Sequence, residues 1–200
     1  MKRVEATRQF RLSSKSAGTV KLADKPTHFH VENMPDSTYV IIPKVSSERR
    51  RYIPMGLMTP NILASDLVFI IPDASLYHFG VLTSNVHMAW VRAVCGRLEM
   101  RYRYSKDIVY NNFPWPTPTG EQKARIEQTA QAILDARALY PDCSLADLYD
   151  EVTMPPELRK AHQANDKAVM QAYGFWGKLN TETACVTELM KMYQKLTEQE

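Results

Sequence analysis

Cysteine is scarce in this chain, and long hydrophobic runs are missing. The three cysteines, Cys95, Cys143 and Cys185, lie far apart, which fits neither a zinc-binding spacing nor a disulfide framework. We therefore expect a reducing compartment, the cytoplasm. No apolar run approaches the roughly 20 residues that a membrane-spanning helix needs. The first residues also lack the apolar stretch of a secretion signal, so no membrane partner is predicted.

The motifs of a self-contained active site are missing as well. The sequence contains no dinucleotide-binding glycine loop, no phosphate-binding loop, no zinc-binding His-Glu-x-x-His helix and no Gly-x-Ser-x-Gly elbow. The five histidines are not at metal-helix spacing, and the pair His28 and His30 on one strand face is more often structural than metal-binding. The sequence predicts no catalytic residue, no metal ligand and no cofactor-binding residue in this chain.

What the chain does contain is typical of a globular protein with an uneven charge distribution. Its 200 residues are 44% hydrophobic and 24% charged. Residues 1–110 hold 16 basic and 9 acidic residues, net +7, whereas residues 111–200 hold 9 and 13, net −4. This asymmetry suggests a module that faces nucleic acid joined to a supporting module. Random variation of the surface is the alternative explanation.

The basic half has the patterns of short strands and one packed helix. Runs of β-branched and aromatic residues that end at proline predict strands at 39–42, 52–53 and 67–71, and another is expected near 100–104. A helix is predicted after Thr83 or Ser84, with an apolar stripe from Val86 to Val94 and Gly96 as its left-handed stop.

The segment 111–118 breaks both patterns, because three prolines in five residues cannot continue a helix or a central strand. We place a domain boundary there, either as an exposed join or pinned by Phe113 and Trp115. The remainder predicts helices that begin at the capping box Thr119-x-x-Gln122, at Ser144-x-x-Asp147 and at Pro155-Pro156, followed by a last helix around Cys185–Leu196.

Two basic stretches are candidate recognition surfaces. Residues 46–52 place three arginines beside two serines, the side chains that bind phosphate oxygens. On a strand, Glu99, Arg101 and Arg103 would project from one face, where arginine can bind guanine and glutamate can accept from cytosine. A solvated loop and a cross-strand ion pair are the respective structural alternatives.

Several motifs together resemble one enzyme family. They are Ala64–Pro72, Leu76–Ser84, His87–Arg92, Gly96–Leu98, Tyr102–Ser105 and Tyr110–Pro116, together with Ser46–Pro54, Leu145–Asp150 and Met154–Leu158. They resemble the C-terminal part of single-chain type II restriction–modification enzymes of the MmeI-like class, many relatives of which are DNA methyltransferases. The resemblance covers nearly the whole chain.

The resemblance implies what the chain does and what it lacks. It implies a partial DNA target-recognition domain at 1–116 and a helical C-terminal domain at 117–200, in an α+β fold: a small β-rich domain with a packed helix, then an all-helical domain. The partners implied are double-stranded DNA and the methyltransferase domain of a parent polypeptide in a bacterial cytoplasm. The S-adenosylmethionine loop, the Asn-Pro-Pro-aromatic motif and the nuclease site are missing. Asn111–Trp115 is only superficially similar to the Asn-Pro-Pro-aromatic motif.

The same resemblance favours base contact for the Glu99 and Arg101 pair, with Arg103 undecided between base and phosphate. The phosphate-binding residues predicted are Lys44, Ser46, Ser47, Arg49, Arg50, Arg51 and Lys106. The function implied is sequence-specific recognition of DNA for adenine-N6 methylation, which uses S-adenosylmethionine, by domains absent from this chain. The alternative is a protein–protein interaction module or scaffold anchored by Trp90, Trp115, Trp176 and Phe175.

Overall fold

A computed structural model describes residues 1–30, 32 and 34–198. It contains two compact units, residues 1–34 and residues 35–200. The first unit consists of α1 (Lys2–Leu12), α2 (Ala17–Lys21) and a 3-10 turn (Leu22–Asp24). The guanidinium group of Arg11 holds this unit together, because it donates to the carbonyl oxygens of Leu22, Lys25 and His28 at 2.9, 2.6 and 2.5 Å.

The second unit begins with two small antiparallel sheets. In the first sheet, β1 (Tyr39–Pro43) lies between β3 (Gly56–Met58) and β4 (Val68–Ile71). In the second sheet, β6 (Arg101–Arg103) lies between β2 (Val45–Ser46) and β5 (Gly96–Leu98). The runs predicted at 39–42, at 67–71 and near 100–104 therefore form strands, since each is apolar on the side that enters the core.

The strand predicted at Tyr52–Ile53 is wrong. Both residues are only 1% exposed, but their backbone belongs to neither sheet. The apolar character reflects insertion into the core between elements that are distant in sequence, not pairing with a neighbouring strand. A pattern of residue types cannot distinguish these two causes.

Two helices follow the first sheet, α3 (Leu76–Leu82) and α4 (Asn85–Val94). Ser84 begins α4, because its Oγ accepts from the backbone N–H of His87 at 3.3 Å. The prediction that Gly96 is a left-handed stop is wrong: Cys95 ends the helix in an extended conformation and Gly96 starts β5.

The C-terminal helices agree with the sequence pattern. They are α5 (Gly120–Ala138), α6 (Leu145–Leu148), α7 (Pro156–Ala172) and α8 (Glu182–Thr197). The capping box before α5 is complete, since the Thr119 hydroxyl accepts from the Gln122 N–H at 3.2 Å and the Gln122 amide oxygen accepts from the Thr119 N–H at 2.9 Å. The α+β class is confirmed: a β-rich part with packed helices precedes a helical part. In the described ranges, no helix is both long and apolar enough to cross a membrane.

The β-rich part and the C-terminal helices share one hydrophobic core. The two parts approach closely at Gly80 of α3, because a Cβ there would lie 2.7 Å from the Ile126 side chain of α5. At the proline-rich join, Phe113 is 3% exposed and its ring centroid lies 5.5 Å from that of Trp115 and 6.5 Å from that of Tyr173. The segment is therefore not an exposed join, because Phe113 and Trp115 hold it against the core.

We expect Gly80→Ala to lower the free energy of unfolding by about 1–3 kcal/mol, because the added methyl group overpacks the contact between α3 and α5. Chemical denaturation measures the change. Gly120→Ala is the matched control, since a Cβ at Gly120 meets nothing within 4 Å. Equal stability of the two variants would contradict the close approach at Gly80.

Two buried histidines make stability depend on pH. Burial lowers the pKa of His87 to about 4 and that of His162 to about 3, whereas an unfolded histidine titrates near 6.5. Between pH 6.5 and 4 the unfolded chain therefore binds protons that the folded chain does not, and stability falls as the pH falls. Burial of Asp166 raises its pKa to about 6, which opposes the trend by one proton below pH 6.

From pH 7 to pH 5 we therefore expect the free energy of unfolding to decrease. Each histidine contributes a slope of about 1.4 kcal/mol per pH unit below its unfolded pKa. His162→Gln should remove one of these contributions and flatten most of the slope. Denaturant titrations at several pH values measure it, and an undiminished slope in the variant would show that His162 is not the source.

Candidate nucleic-acid interface

The second sheet presents a basic face to solvent. Its register pairs Val45 with Arg103 and Leu98 with Arg101, so these four side chains share one face. All four are exposed. Tyr102, between the two arginines, points to the opposite face and is 4% exposed. The alternation holds Arg101 and Arg103 outward on a strand whose other side is fixed in the core.

Glu99 lies in the turn between β5 and β6, not on the strand as predicted. Its φ is +58°, a left-handed conformation that is uncommon for residues other than glycine. The carboxylate nevertheless reaches Arg101, whose Nη2 donates to Glu99 Oε2 at 2.8 Å. The ion pair considered from the sequence is therefore present, but within the turn and not across strands. Both side chains remain open to solvent, 76% exposed for Glu99 and 47% for Arg101.

The three consecutive arginines lie beside this hairpin. They follow β2 in a turn in which the Arg50 N–H donates to the Ser47 carbonyl at 3.3 Å and the Arg49 N–H to the Ser47 hydroxyl at 3.2 Å. A cleft of about 340 Å³ brings the two predicted stretches together. It is lined by Ser47, Glu48, Arg49, Arg50, Arg101, Asp150 and Glu151. We call residues 49–51 the arginine segment and residues 96–103 the reading hairpin, after the base-reading role that the sequence predicts for it.

The other predicted phosphate-binding residues differ in accessibility. Lys106 has a side chain that is 65% exposed, and Lys44 holds its Nζ 5.3 Å from the ring centroid of Phe69. Ser46 pairs with Tyr102 on the inner face of the sheet and is 3% exposed. A phosphate role for Ser46 does not fit this position, because strand alternation turns its hydroxyl into the core.

One further arginine lies at the site although the sequence patterns did not single it out. Arg92, in the last turn of α4, donates from Nη2 to the Arg51 carbonyl at 3.3 Å and pairs with Glu182 at 3.2 Å. Arg97 of β5 pairs with Tyr102 and so lies on the face opposite to Arg101 and Arg103, where its guanidinium stacks 4.0 Å from the ring centroid of Tyr102. The contact partners of Arg92 are far away in sequence, which is why no local pattern revealed it.

The two histidines of the N-terminal unit do not form the pair on one strand face that the sequence suggested. His28 and His30 lie outside any strand, and the Nδ1 of His28 lies 3.1 Å from the carboxylate of Glu32. That hydrogen bond lowers the pKa of Glu32. Within the residues that the structure describes, no group of three or more histidine, cysteine or acidic side chains is placed to hold an ion.

The aromatic residues proposed as anchors for a protein partner are mostly internal. Trp90 is 2% and Phe175 is 7% exposed. The indole N–H of Trp90 donates to the Val109 carbonyl at 2.9 Å. Trp115 packs against Phe113, and Trp176, 49% exposed, lies under Lys167. Three of the four aromatic side chains therefore stabilise the core, which removes most of the basis for that alternative.

Two family models and one curated protein match this chain. Residues 1–117 match the family model described as the target recognition domain of MmeI, and residues 119–199 match that of the MmeI C-terminal domain. DNA methyltransferase A of Bacillus subtilis (strain 168) is 39% identical over 196 residues, which are 98% of this chain and 22% of that protein.

A solved structure of the type IIL restriction–modification enzyme MmeI in complex with DNA is also similar. Its TM-score is 0.83 at 47% sequence identity, covering 98% of this chain and 26% of the MmeI chain. The chain thus spans about a quarter of the length of these two relatives. It belongs to the MmeI family, of which it comprises a target recognition domain and a C-terminal domain.

Proposed function

We propose that this chain recognises a specific DNA sequence and positions it for adenine-N6 methylation by domains outside this segment. The observation that carries the proposal is the cleft that joins the reading hairpin to the arginine segment. Side chains that read bases and side chains that bind phosphates must lie on one surface to act on one duplex. The shared cleft supports the proposal because Arg101 lines it together with Ser47, Arg49 and Arg50. In the whole enzyme S-adenosylmethionine would supply the methyl group, and no residue of this chain is assigned to bind it.

The reading hairpin has the dimensions and chemistry for the major groove. A two-stranded ribbon fits that groove, where arginine binds guanine O6 and N7 and glutamate accepts from cytosine N4. The 2.8 Å contact between Glu99 and Arg101 supports the pairing, because the two side chains reach the same point, as reading both bases of one pair requires. When DNA binds, Glu99 and Arg101 would each give up the contact with the other and hydrogen-bond to a base edge instead.

The arginine segment supplies the contacts that do not depend on sequence. Arg49, Arg50 and Arg51, with Ser47, Lys44 and Lys106, are proposed to bind phosphate oxygens and to set the register of the hairpin on the duplex. Arg103 lies next to Arg101 on the same face and can reach either a base or a phosphate. The division into domains at residue 116 and the cytoplasmic location remain predictions.

The phosphate contacts predict a steep salt dependence of DNA binding. We expect the affinity of the chain for a random duplex of about 30 base pairs to fall linearly with salt on logarithmic axes, by about 0.9 units per phosphate neutralised. Arg50→Ala should weaken binding to all sequences alike and reduce this slope by roughly one unit. Lys195→Ala is the charge-matched control on α8 and should leave the slope unchanged. Binding insensitive to salt would instead favour a protein-binding module.

If Glu99 and Arg101 read a base pair, their substitution should weaken binding to the preferred DNA sequence and not to DNA in general. Arg101→Ala should cost about 1–3 kcal/mol on the preferred sequence and little on random DNA. Exchanging the charges with Glu99→Lys and Arg101→Asp should invert one base pair in the sequence selected from a randomised duplex pool. An unchanged selected sequence from a folded double variant would assign the pair a structural role only.

The backbone conformation of Glu99 predicts that a substitution which relieves strain there will increase stability and at the same time remove base recognition. A side chain at φ +58° costs about 1 kcal/mol relative to glycine, and such strain persists at functional sites. We expect Glu99→Gly to raise the free energy of unfolding by about that amount while abolishing selection of the base pair. Asp73→Gly, at φ +55°, is the control with similar strain and no role in selection. A Glu99→Gly variant that keeps its selectivity would contradict this account.

A further inference from the structure

The arginine segment is attached to the C-terminal helices by the residue that follows it. Tyr52 is 1% exposed, and its hydroxyl donates to Asp166 Oδ2 of α7 at 2.6 Å. Its ring stacks on His162, one turn earlier on α7, with centroids 4.1 Å apart. The other oxygen of Asp166 accepts from the Asn85 N–H at 2.7 Å. The end of the arginine segment is therefore fixed to α7 and α4 together.

A second attachment acts on the backbone of the segment itself. The Arg51 carbonyl accepts from Arg92 of α4, and the same guanidinium pairs with Glu182 of α8. Arg92 is thus shared between the segment and the C-terminal helices. A cleft of about 450 Å³ lies at this junction, lined among others by Arg50, Arg51, Arg92 and Glu182. The acidic side chains there offset the mutual repulsion of the arginines.

The chemistry of the attachment is costly for stability alone. Burial raises the pKa of Asp166 to about 6, because its carboxyl group is poorly solvated inside the fold. Well-packed apolar residues in the place of buried charged groups are often neutral or stabilising. The carboxylate instead fixes the positions of two segments, because one oxygen accepts from Tyr52 and the other from Asn85.

We infer that Tyr52, Asp166 and Arg92 are positioning residues, through which the C-terminal helices hold the arginine segment in the orientation that binds DNA phosphates. This inference rests on the proposed function and gives the C-terminal domain a part in DNA binding without direct contact. The arginines supply the charge, and the helices determine where that charge is placed relative to the reading hairpin.

The test is Tyr52→Phe, which keeps the ring stacked on His162 and removes only the hydroxyl. We expect the affinity of the chain for a random duplex to fall about tenfold, the equivalent of one charge-assisted hydrogen bond. The salt slope should fall by about 0.9 for each phosphate that is no longer neutralised. Tyr173→Phe is the matched control, because it removes a largely buried hydroxyl that donates to the Pro114 carbonyl at 2.8 Å, away from the arginine segment. It should affect unfolding but neither affinity nor salt slope.

A double-mutant cycle separates positioning from general destabilisation. If Tyr52 acts through the arginines, Tyr52→Phe should have almost no further effect on DNA binding once Arg50 and Arg51 are both alanine. Additive effects, or an unchanged salt slope in Tyr52→Phe, would overturn the inference while leaving the proposed function intact. Absence of salt-dependent binding by the unmodified chain would overturn both.

Folding of each variant is checked by thermal unfolding. If Tyr52→Phe does not fold, Arg92→Gln reaches the same segment from a side chain that is 29% exposed. The same decrease in affinity and salt slope is expected from it, and the same cycle with the Arg50 and Arg51 alanine variants applies. An Arg92→Gln variant that binds DNA as the unmodified chain does would overturn the inference.

Discussion

The arrangement of the core depends on a buried amide that joins α3, α5 and α7. Asn165 of α7 is fully buried, and its Nδ2 donates to the Gly80 carbonyl of α3 at 2.8 Å. Its Oδ1 accepts from the Thr129 hydroxyl of α5 at 3.1 Å. An amide in an apolar core is favourable only when both ends are paired, so α3, α5 and α7 are held in one relative arrangement. Asn165 is a polar residue among the buried, mostly apolar residues of α7. Its two hydrogen bonds explain why an amide is found there.

Elements whose causes are local could be predicted from the sequence. The capping box at Thr119 and the proline start of α7 act within one turn of a helix, and both lie where the pattern placed them. Tyr52 was misassigned because its conformation depends on a distant partner, whereas Gly96 was misassigned because it pairs with Arg103 in the second sheet. Tyr52 stacks on His162, which lies 110 positions later in the chain. Only the folded core makes that pairing visible.

The candidate site shows the same division. Alternation along β6 was sufficient to place Arg101 and Arg103 on one exposed face, since strand periodicity is a local property. The turn at Glu99 could not be foreseen, because turns with positive φ are signalled by glycine or asparagine and this one has neither. The assembly of the hairpin and the arginine segment around one cleft follows from the pairing of β2 with β6, which joins segments more than fifty residues apart.

The reading hairpin and the arginine segment differ in how firmly their side chains are attached to the core. Glu99 and Arg101 contact each other and solvent, so substitutions that alter base reading should leave the core undisturbed and cost little stability. The arginine segment is different, because Tyr52 and Arg92 connect it to α7 and α8. Under the proposed function, a substitution in the reading hairpin would therefore change the recognition sequence and leave the contacts to the DNA backbone in place.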